Sequence, residues 1–367
     1  MLSCGFPHGH SRYNRPMLIE GIFAAVPTPF YPDEQVYYRK LEANLARYSR
    51  SLLAGMVIMG STGEAVELTD AESREVLRVA AQSAAPEKVL IAGVGRESVR
   101  ATVELAEAAA EAHFDAVLVR TPTYYAPSMS TAAVLHYFRS VADRSPLPVV
   151  LYHIPKFVPY SIPIEVAAEL ALHPNIIGIK DSSGDVNRIR DLVAATRETP
   201  KRTVTVTPIF EAVTGRMLAA KAEPVGGFVP ASDLNGGVAV AAAPPAPALK
   251  TRTREVGFQV LSGSPGNLLD SLEAGASGAI LAFAACAPQA CQEIYLAWKD
   301  HDLKLAREKQ QRIAAAGKRV AGELGIAGIK YACDFNGFYG GRPRAPLLPL
   351  SAEQKAEVET LMADIRN

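Results

Sequence analysis

Ile176-Ile177-Gly178-Ile179-Lys180-Asp181-Ser182-Ser183-Gly184 opens as an apolar run of strand length and closes on a lysine and a turn. Lysines are almost never fully buried unless something pairs with them or needs them. A lysine at the C-terminal end of a buried strand therefore has two readings. It is either a side chain that runs out to water past the strand end, or a desolvated amine nucleophilic enough to form a Schiff base with a ketone. The other strand ends decide between them.

Seven more apolar runs share its character: Ile22 to Val26, Met56 to Met59, Val89 to Val94, Ala116 to Val119, Val149 to Tyr152, Phe258 to Leu261 and Ala279 to Phe283. Helix-like segments separate them, such as Ala71 to Ala85, Val99 to His113 and Thr131 to Arg144, with apolar residues every three or four positions. Near-continuous hydrophobic strands are buried on both faces, as in parallel sheets covered by helices. Eight such units close most economically as an α/β fold of the (β/α)8 TIM-barrel type. An open doubly wound sheet is the rival. Its dinucleotide-binding form has no support, because no GxGxxG follows the first strand.

Two features depart from this regularity. After the predicted helix at Val186 to Arg197, the next strand waits until Phe258, whereas such connections usually take about two to six residues. The expected layout is an N-terminal extension over 1–20, a barrel over 21–300 with an insertion at 198–256 before the seventh strand, and C-terminal helices over 301–367. The insertion carries Pro224, Pro230 and an alanine-proline tract from Ala241 to Ala248, with a helix predicted at Ile209 to Ala222. Its composition is that of a tethered excursion with a partly disordered limb rather than a second domain. Beyond Trp298 the pattern is helical, at Leu303 to Leu324, Ala327 to Asp334 and Ala352 to Ile365. Lys330 falls in one of these helices, where a lysine is expected to be solvated.

The 367 residues are 49% hydrophobic and 21% charged, which suits a soluble globular chain with a large core. With 38 basic and 38 acidic residues the net charge is zero, so the overall balance points to neither nucleic acid nor an anionic membrane. Any anionic substrate must be held by local groups. Cys4, Cys286, Cys291 and Cys333 are too scattered for a disulfide framework or a zinc site, and read as reduced cysteines of a cytoplasmic protein. No run reaches the roughly 18 apolar residues of a membrane span. The stretch holding His8, His10, Arg12 and Arg15 has no apolar segment of the signal-peptide kind, and His8 and His10 are not expected to hold a metal at a loose terminus.

In a barrel, chemistry gathers at the C-terminal ends of the strands. Those ends carry Gly60-Ser61-Thr62-Gly63-Glu64, Thr121-Pro122-Thr123-Tyr124-Tyr125, Tyr152 and Lys180. Glycines at 60 and 63 let backbone approach a ligand, and the Ser61 and Thr62 hydroxyls suit a carboxylate. Taken singly, GSTGE would be a capped turn and Tyr152 a core aromatic. Amine, phenol and carboxylate cradle on adjacent strand ends are hard to explain as packing.

GSTGE, YYxP at Tyr124 to Pro127, LYHIP at Leu151 to Pro155 and GIKDSSGD at Gly178 to Asp185 occur in an order and spacing that resemble the dihydrodipicolinate synthase and N-acetylneuraminate lyase superfamily of Schiff-base aldolases. The resemblance runs from about Gly21 to the C-terminus apart from the insertion. It implies a (β/α)8 barrel with C-terminal helices, a homo-oligomer built as a dimer of dimers, and catalysis that needs no cofactor or metal. By it, Lys180 is the Schiff-base lysine and Tyr152 the phenol that shuttles protons. Ser61 and Thr62 hold the carboxylate of a pyruvate-like 2-oxo acid, Ile280 offers a backbone carbonyl, and Tyr124 reaches into a neighbouring subunit's site.

Within the superfamily, Asp181 to Val186, Phe258 to Ser264, Phe338 to Gly341 and Arg344 to Leu347 are most similar to the 4-hydroxy-2-oxoglutarate aldolases. That likeness puts Ser182 near the substrate's distal carboxylate. Dihydrodipicolinate synthases carry a carboxylate-binding arginine two residues after the LYHIP-type proline; here Lys156 is followed by Phe157. The expected reaction is cleavage of 4-hydroxy-2-oxoglutarate to pyruvate and glyoxylate. Alternatives are dihydrodipicolinate synthase, a 2-keto-3-deoxy sugar-acid aldolase or dehydratase, and a non-catalytic barrel that binds a 2-oxo acid or serves as a scaffold.

Overall fold

A computed structural model describes residues 16–219 and 249–365. His8, His10 and the tract at 241–248 lie outside the described residues, as does most of the expected N-terminal extension. The strands are β1 (Gly21–Ala25), β2 (Gly55–Ile58), β3 (Val89–Gly93), β4 (Ala116–Arg120), β5 (Val149–His153), β6 (Ile176–Asp181), β7 (Arg202–Val206), β8 (Arg252–Val256), β9 (Gln259–Ser262) and β10 (Gly278–Leu281). The α-helices are α1 (Tyr38–Ser49), α2 (Asp70–Ser83), α3 (Val99–Glu111), α4 (Thr131–Arg144), α5 (Ile164–Ala171), α6 (Val186–Ala195), α7 (Gly215–Ala219), α8 (Leu268–Glu273), α9 (Pro288–Lys299), α10 (Leu303–Ala316), α11 (Gly325–Phe335) and α12 (Ala352–Met362).

Eight strands close a barrel in the order β1-β2-β3-β4-β5-β6-β9-β10, every pair parallel. They coincide with the eight apolar runs. Residues alternate between two cores because successive side chains on a strand point to opposite faces. Phe23, Val57, Ile91, Leu118, Val150 and Ile280 fill the interior, whereas Ile22, Met56, Leu90, Val117 and Leu151 pack outward against the helices. Polar caps start the helices on schedule: Thr69 and Glu72 form a reciprocal capping box at α2, and Ser98, Ser130 and Asp185 cap α3, α4 and α6.

β6 breaks the alternation. Ile177 belongs to the interior cluster and Ile179 to the outer one, although in a regular strand residues two apart share a face. The pairing with β5 explains this: Val149 is opposite Ile176, but Val150 is opposite Gly178, so β6 holds one extra residue. Such a bulge re-aims the side chains that follow. Lys180, instead of pointing toward the helices, turns into the barrel beside Tyr152, its partner in register.

The insertion is more ordered at its base than composition implies. β7 and β8 form a two-stranded antiparallel sheet in which Arg202 pairs with Val256 and Val206 with Arg252. Val204, Val206 and Val256 bury one face against Leu18. Both strands escape a search for continuous apolar runs because Arg-Thr-Val-Thr-Val and Arg-Thr-Arg-Glu-Val belong to a sheet with one wet face. The helix predicted from Ile209 starts only at Gly215, where Thr214 Oγ1 accepts from Met217 N at 3.1 Å. Before it the chain turns back, with Val206 bridging Ala212 and Phe210 at a φ of 66°. Residues 220–222 of that prediction lie outside the described residues.

The described part of the insertion docks on the N-terminal end of the barrel. Arg202 donates to the carbonyls of His173 and Ile176 at 2.8 Å each, Arg216 to Ala84 O at 3.0 Å, and Gly215 N to Asp115 Oδ1 at 3.0 Å. These acceptors stand at or just before the starts of β6, β3 and β4. Lys180 is at the opposite end.

The C-terminal helices correct one expectation. Lys330, on α11, is fully buried and forms an ion pair with Glu64, itself 1% exposed. The lysine also donates to Arg342 O at 2.8 Å and lies 4.4 Å from the Phe30 ring centre. Apolar neighbours at Ile329 and Ala332 mark the buried stripe of α11, but Lys330 enters that stripe only because a carboxylate awaits it. Burial pushes the Glu64 carboxyl up and the Lys330 ammonium down, and the attraction between them opposes both shifts. Lys330→Met should therefore cost about 3–5 kcal/mol in urea unfolding, since it leaves a buried carboxylate unpaired. The double variant Lys330→Met/Glu64→Gln should recover part of that loss; a loss below about 1 kcal/mol in the single variant would make the pair incidental.

Candidate active site

The bulge brings Lys180 Nζ to 3.3 Å from Tyr152 Oη and 4.3 Å from the ring centre. Tyr152 Oη lies 3.4 Å from Ser61 Oγ on the loop after β2. Lys180 and Tyr152 are each only 5% exposed. Amine, phenol and hydroxyl thus form one chain across three strand ends. Both links are long for hydrogen bonds.

Ser61 and Thr62 sit in a single 3-10 turn, Ser61–Gly63, closed by Glu64 at a φ of 53°. Gly63 O accepts from Thr28 Oγ1 at 2.7 Å. A left-handed non-glycine residue is uncommon and needs surroundings that enforce it. Glu64 has them: Lys330 holds one carboxylate oxygen and Arg344 N the other, at 2.7 Å. The Arg344 guanidinium reaches Glu72 at 2.6 and 2.9 Å, donates to Glu67 O at 2.7 Å and stacks 4.3 Å from the Phe30 ring centre. Its hydrogen bonds draw the Glu72 carboxyl down to about 2.

The remaining predicted residues are distributed around this chain. Thr62 is buried beside Ser61, and Ile280 lies fully buried in the barrel interior. Tyr124 is 79% exposed on the loop after β4. Ser182 follows β6, donates its N–H to His153 O at 2.9 Å and presses its Oγ against Gly263, where any Cβ would overlap it. Asp181 stabilises that loop by accepting from Ser183 N at 2.9 Å and Arg188 Nε at 2.7 Å.

Sequence reasoning missed the end of β3. Glu97 accepts from Thr123 N at 2.8 Å, Tyr124 N at 3.0 Å and Arg120 Nη1 at 3.0 Å, so one carboxylate shapes the loop that carries Tyr124. Burial alone would raise its pKa, but these donors outweigh it and hold the carboxyl below the usual range. The signal was available: Gly93-Val94-Gly95-Arg96-Glu97 follows a strand just as GSTGE does. A cavity of about 690 Å3 connects the elements, with Ser61, Tyr152, Arg96, Glu97, Arg120 and Tyr124 on its polar side and Leu118, Ile154, Phe157 and Val158 among its apolar lining. That size and mixture suit a small-molecule site.

Among the described residues, no group of three or more His, Cys, Asp and Glu is placed to hold a metal, and no helix is long and apolar enough to cross a membrane. Cys286, Cys291 and Cys333 are buried, and burial pushes all three thiols up, away from the reactive thiolate.

The model of the dihydrodipicolinate synthetase family matches residues 18–202 and 247–365, interrupted only across the insertion. The chain belongs to this family and is an enzyme of its lyase, aldolase class. It is 26% identical to a 4-hydroxy-tetrahydrodipicolinate synthase of Natronomonas pharaonis, over 94% of this chain and 97% of that one. It is 29% identical to a protein of Emericella nidulans named "Probable 4-hydroxy-2-oxoglutarate aldolase, mitochondrial", over 96% of each chain. Among solved structures it is similar to YagE, a prophage protein of this family from E. coli K12 in complex with pyruvate, with a TM-score of 0.73 and 25% identity over 95% of this chain and 99% of that one.

The low Glu72 value has a pH signature. Because the folded-state carboxyl titrates near 2 instead of 4.5, its stabilisation is complete above about pH 4.5 and is lost as pH falls through about 2. Glu72→Gln should lower unfolding stability at pH 7 by about 1 kcal/mol. Urea titrations at successive pH values should show the gap to wild type closing between pH 4.5 and 2; a gap that stays constant would remove the ion pair from the account.

Proposed function

We propose that the protein is a Schiff-base aldolase acting on a 4-hydroxy-2-oxo acid, with cleavage of 4-hydroxy-2-oxoglutarate to pyruvate and glyoxylate as the leading reaction. The observation that carries this reading is the buried Lys180–Tyr152–Ser61 chain. The Lys180 amine adds to the C2 carbonyl, and Tyr152 shuttles protons while the carbinolamine loses water to an iminium. The iminium is an electron sink. Removal of the C4 hydroxyl proton breaks the C3–C4 bond, whose electron pair flows into an enamine as glyoxylate departs. Protonation at C3 and addition of water then release pyruvate and restore the lysine.

Ser61 and Thr62 are assigned to the C1 carboxylate, Ile280 O to the neighbourhood of the imine, and Tyr124 to a proton relay in the site of a second copy. The exposure of Tyr124 supports that last role, because its ring has open space in front of it. An oligomer, a dimer of dimers by family resemblance, follows from the same assignment, and a cytoplasmic setting accords with the buried free cysteines. Pyruvate in the YagE complex supports a 2-oxo acid as ligand. A synthase reading takes weight from the name of the Natronomonas relative and loses it at Phe157, a half-exposed ring on the cavity wall where the synthases place a carboxylate-binding arginine.

Borohydride reduction in the presence of pyruvate should add one pyruvyl group, mapped by mass spectrometry to Lys180. Lys330, sealed in its ion pair, should stay unmodified, and an adduct there or none in folded protein would sink the aldolase reading. Tyr152→Phe keeps the ring and removes the proton carrier, so kcat should fall about 10²- to 10⁴-fold. Activity within a few-fold of wild type would leave Tyr152 as packing alone.

A further inference from the structure

Arg96, Arg120, Arg188, Arg202, Arg216 and Arg344 are withdrawn at least partly from water, and five of these six have their charge answered. Arg188 pairs with Asp181, Arg344 with Glu72 and Arg120 with Glu97. Arg202 and Arg216 are each capped by backbone carbonyls. Arg96 is the exception. Its guanidinium donates to Ser73 Oγ at 3.0 Å and, at 3.4 Å, to Gly95 O, and among the described residues it makes no ion pair. It lines the cavity that Ser61 and Tyr152 also line.

Its position is fixed from behind. The Arg96 backbone N–H donates to Thr102 Oγ1 at 3.0 Å, and its carbonyl accepts from Tyr137 Oη at 3.1 Å. Burial lowers its pKa, with Asp70 opposing the shift and Arg120 reinforcing it. Two guanidiniums therefore approach one cavity wall, and Glu97 neutralises one of them. A partly desolvated cation with spare donors gains most from an anion that enters with the ligand.

We propose that Arg96 binds the distal carboxylate of the substrate, which makes the enzyme selective for dicarboxylic 4-hydroxy-2-oxo acids over those with an uncharged tail. The assignment rests on the aldolase reading and moves the distal contact away from Ser182, whose Oγ faces Gly263. Arginine suits the task because its planar fork meets a carboxylate with two parallel hydrogen bonds.

A test that needs no turnover is borohydride trapping on Lys180 with 2-oxoglutarate and with 2-oxovalerate, two acids of equal chain length that differ in the terminal carboxylate. Wild type should be half-saturated by 2-oxoglutarate at a concentration about 10- to 100-fold lower than by 2-oxovalerate, the range for a hydrogen bond between charged groups. Arg96→Met should erase that preference. Arg96→Gln, which retains a donor for Ser73, should erase it as well, and Arg96→Lys should keep only part of it. No preference in wild type, equal loss for both acids in the variants, or loss of preference in Ser182→Ala in place of Arg96→Met would overturn the proposal. Pyruvate separates the two failures: if wild type traps pyruvate on Lys180 but ignores the distal carboxylate, only the Arg96 assignment falls. If pyruvate leaves no adduct, the aldolase reading falls first.

Discussion

The buried pair of Lys330 with Glu64 is the constraint on which the site geometry rests. Glu64 closes the turn that presents Ser61 and Thr62, and it does so in a left-handed conformation that a glutamate does not adopt unaided. What holds it there comes from far along the chain, namely the α11 ammonium and the N–H of Arg344. Desolvating two charges is expensive, and only close pairing with further hydrogen bonds repays it. Arg342 O and the Arg344 N–H supply the hydrogen bonds, and the Phe30 ring faces the ammonium. The C-terminal helices are thereby part of the site's foundation.

A second constraint acts through backbone alone. Parallel register sets Tyr152 beside Lys180, but register by itself does not choose the face. Without the extra residue in β6, the alternation begun at Ile177 would carry Ile179 inward and send Lys180 toward the helices. One bulge exchanges their roles, so an apolar side chain packs outward where it is wanted and the amine meets the phenol. The turn beyond β6 is fixed in its own right, through Asp181 with Arg188 and Ser183.

The barrel was legible because buried parallel strands have no polar face, and eight runs from Ile22 to Phe283 stand out as uninterrupted apolar text. β7 and β8 were not, because their half-wet pattern is short and rich in threonine and arginine. Lys180 was found by asking why a lysine should end such a run. Lys330 poses the same question inside a helix, but its answer, Glu64, is 266 positions away and lies within a motif that already had another explanation. Arg96 and Glu97 were overlooked although they follow a strand. Their hydrogen bonds, to Ser73 in one case and to Thr123 and Tyr124 in the other, exist only once β2, β3 and β4 lie side by side.

The two ends of the barrel carry different burdens. At the N-terminal end, Arg202 and Arg216 tie the insertion to carbonyls before β6 and β3, and their charges are spent on backbone. At the C-terminal end, charges remain unspent or are paired so as to shape loops: Glu97 for Tyr124, Glu64 for Ser61, Arg96 for whatever the cavity admits. Barrel enzymes keep stability at one face and chemistry at the other. The family match breaks off at residue 202 and resumes at 247, and Arg202 and Arg216 fix the described start of that interruption on the stability side. Among the described residues, this interruption puts no side chain on the cavity wall, and Lys180, Tyr152 and Ser61 keep their mutual contacts at the other end.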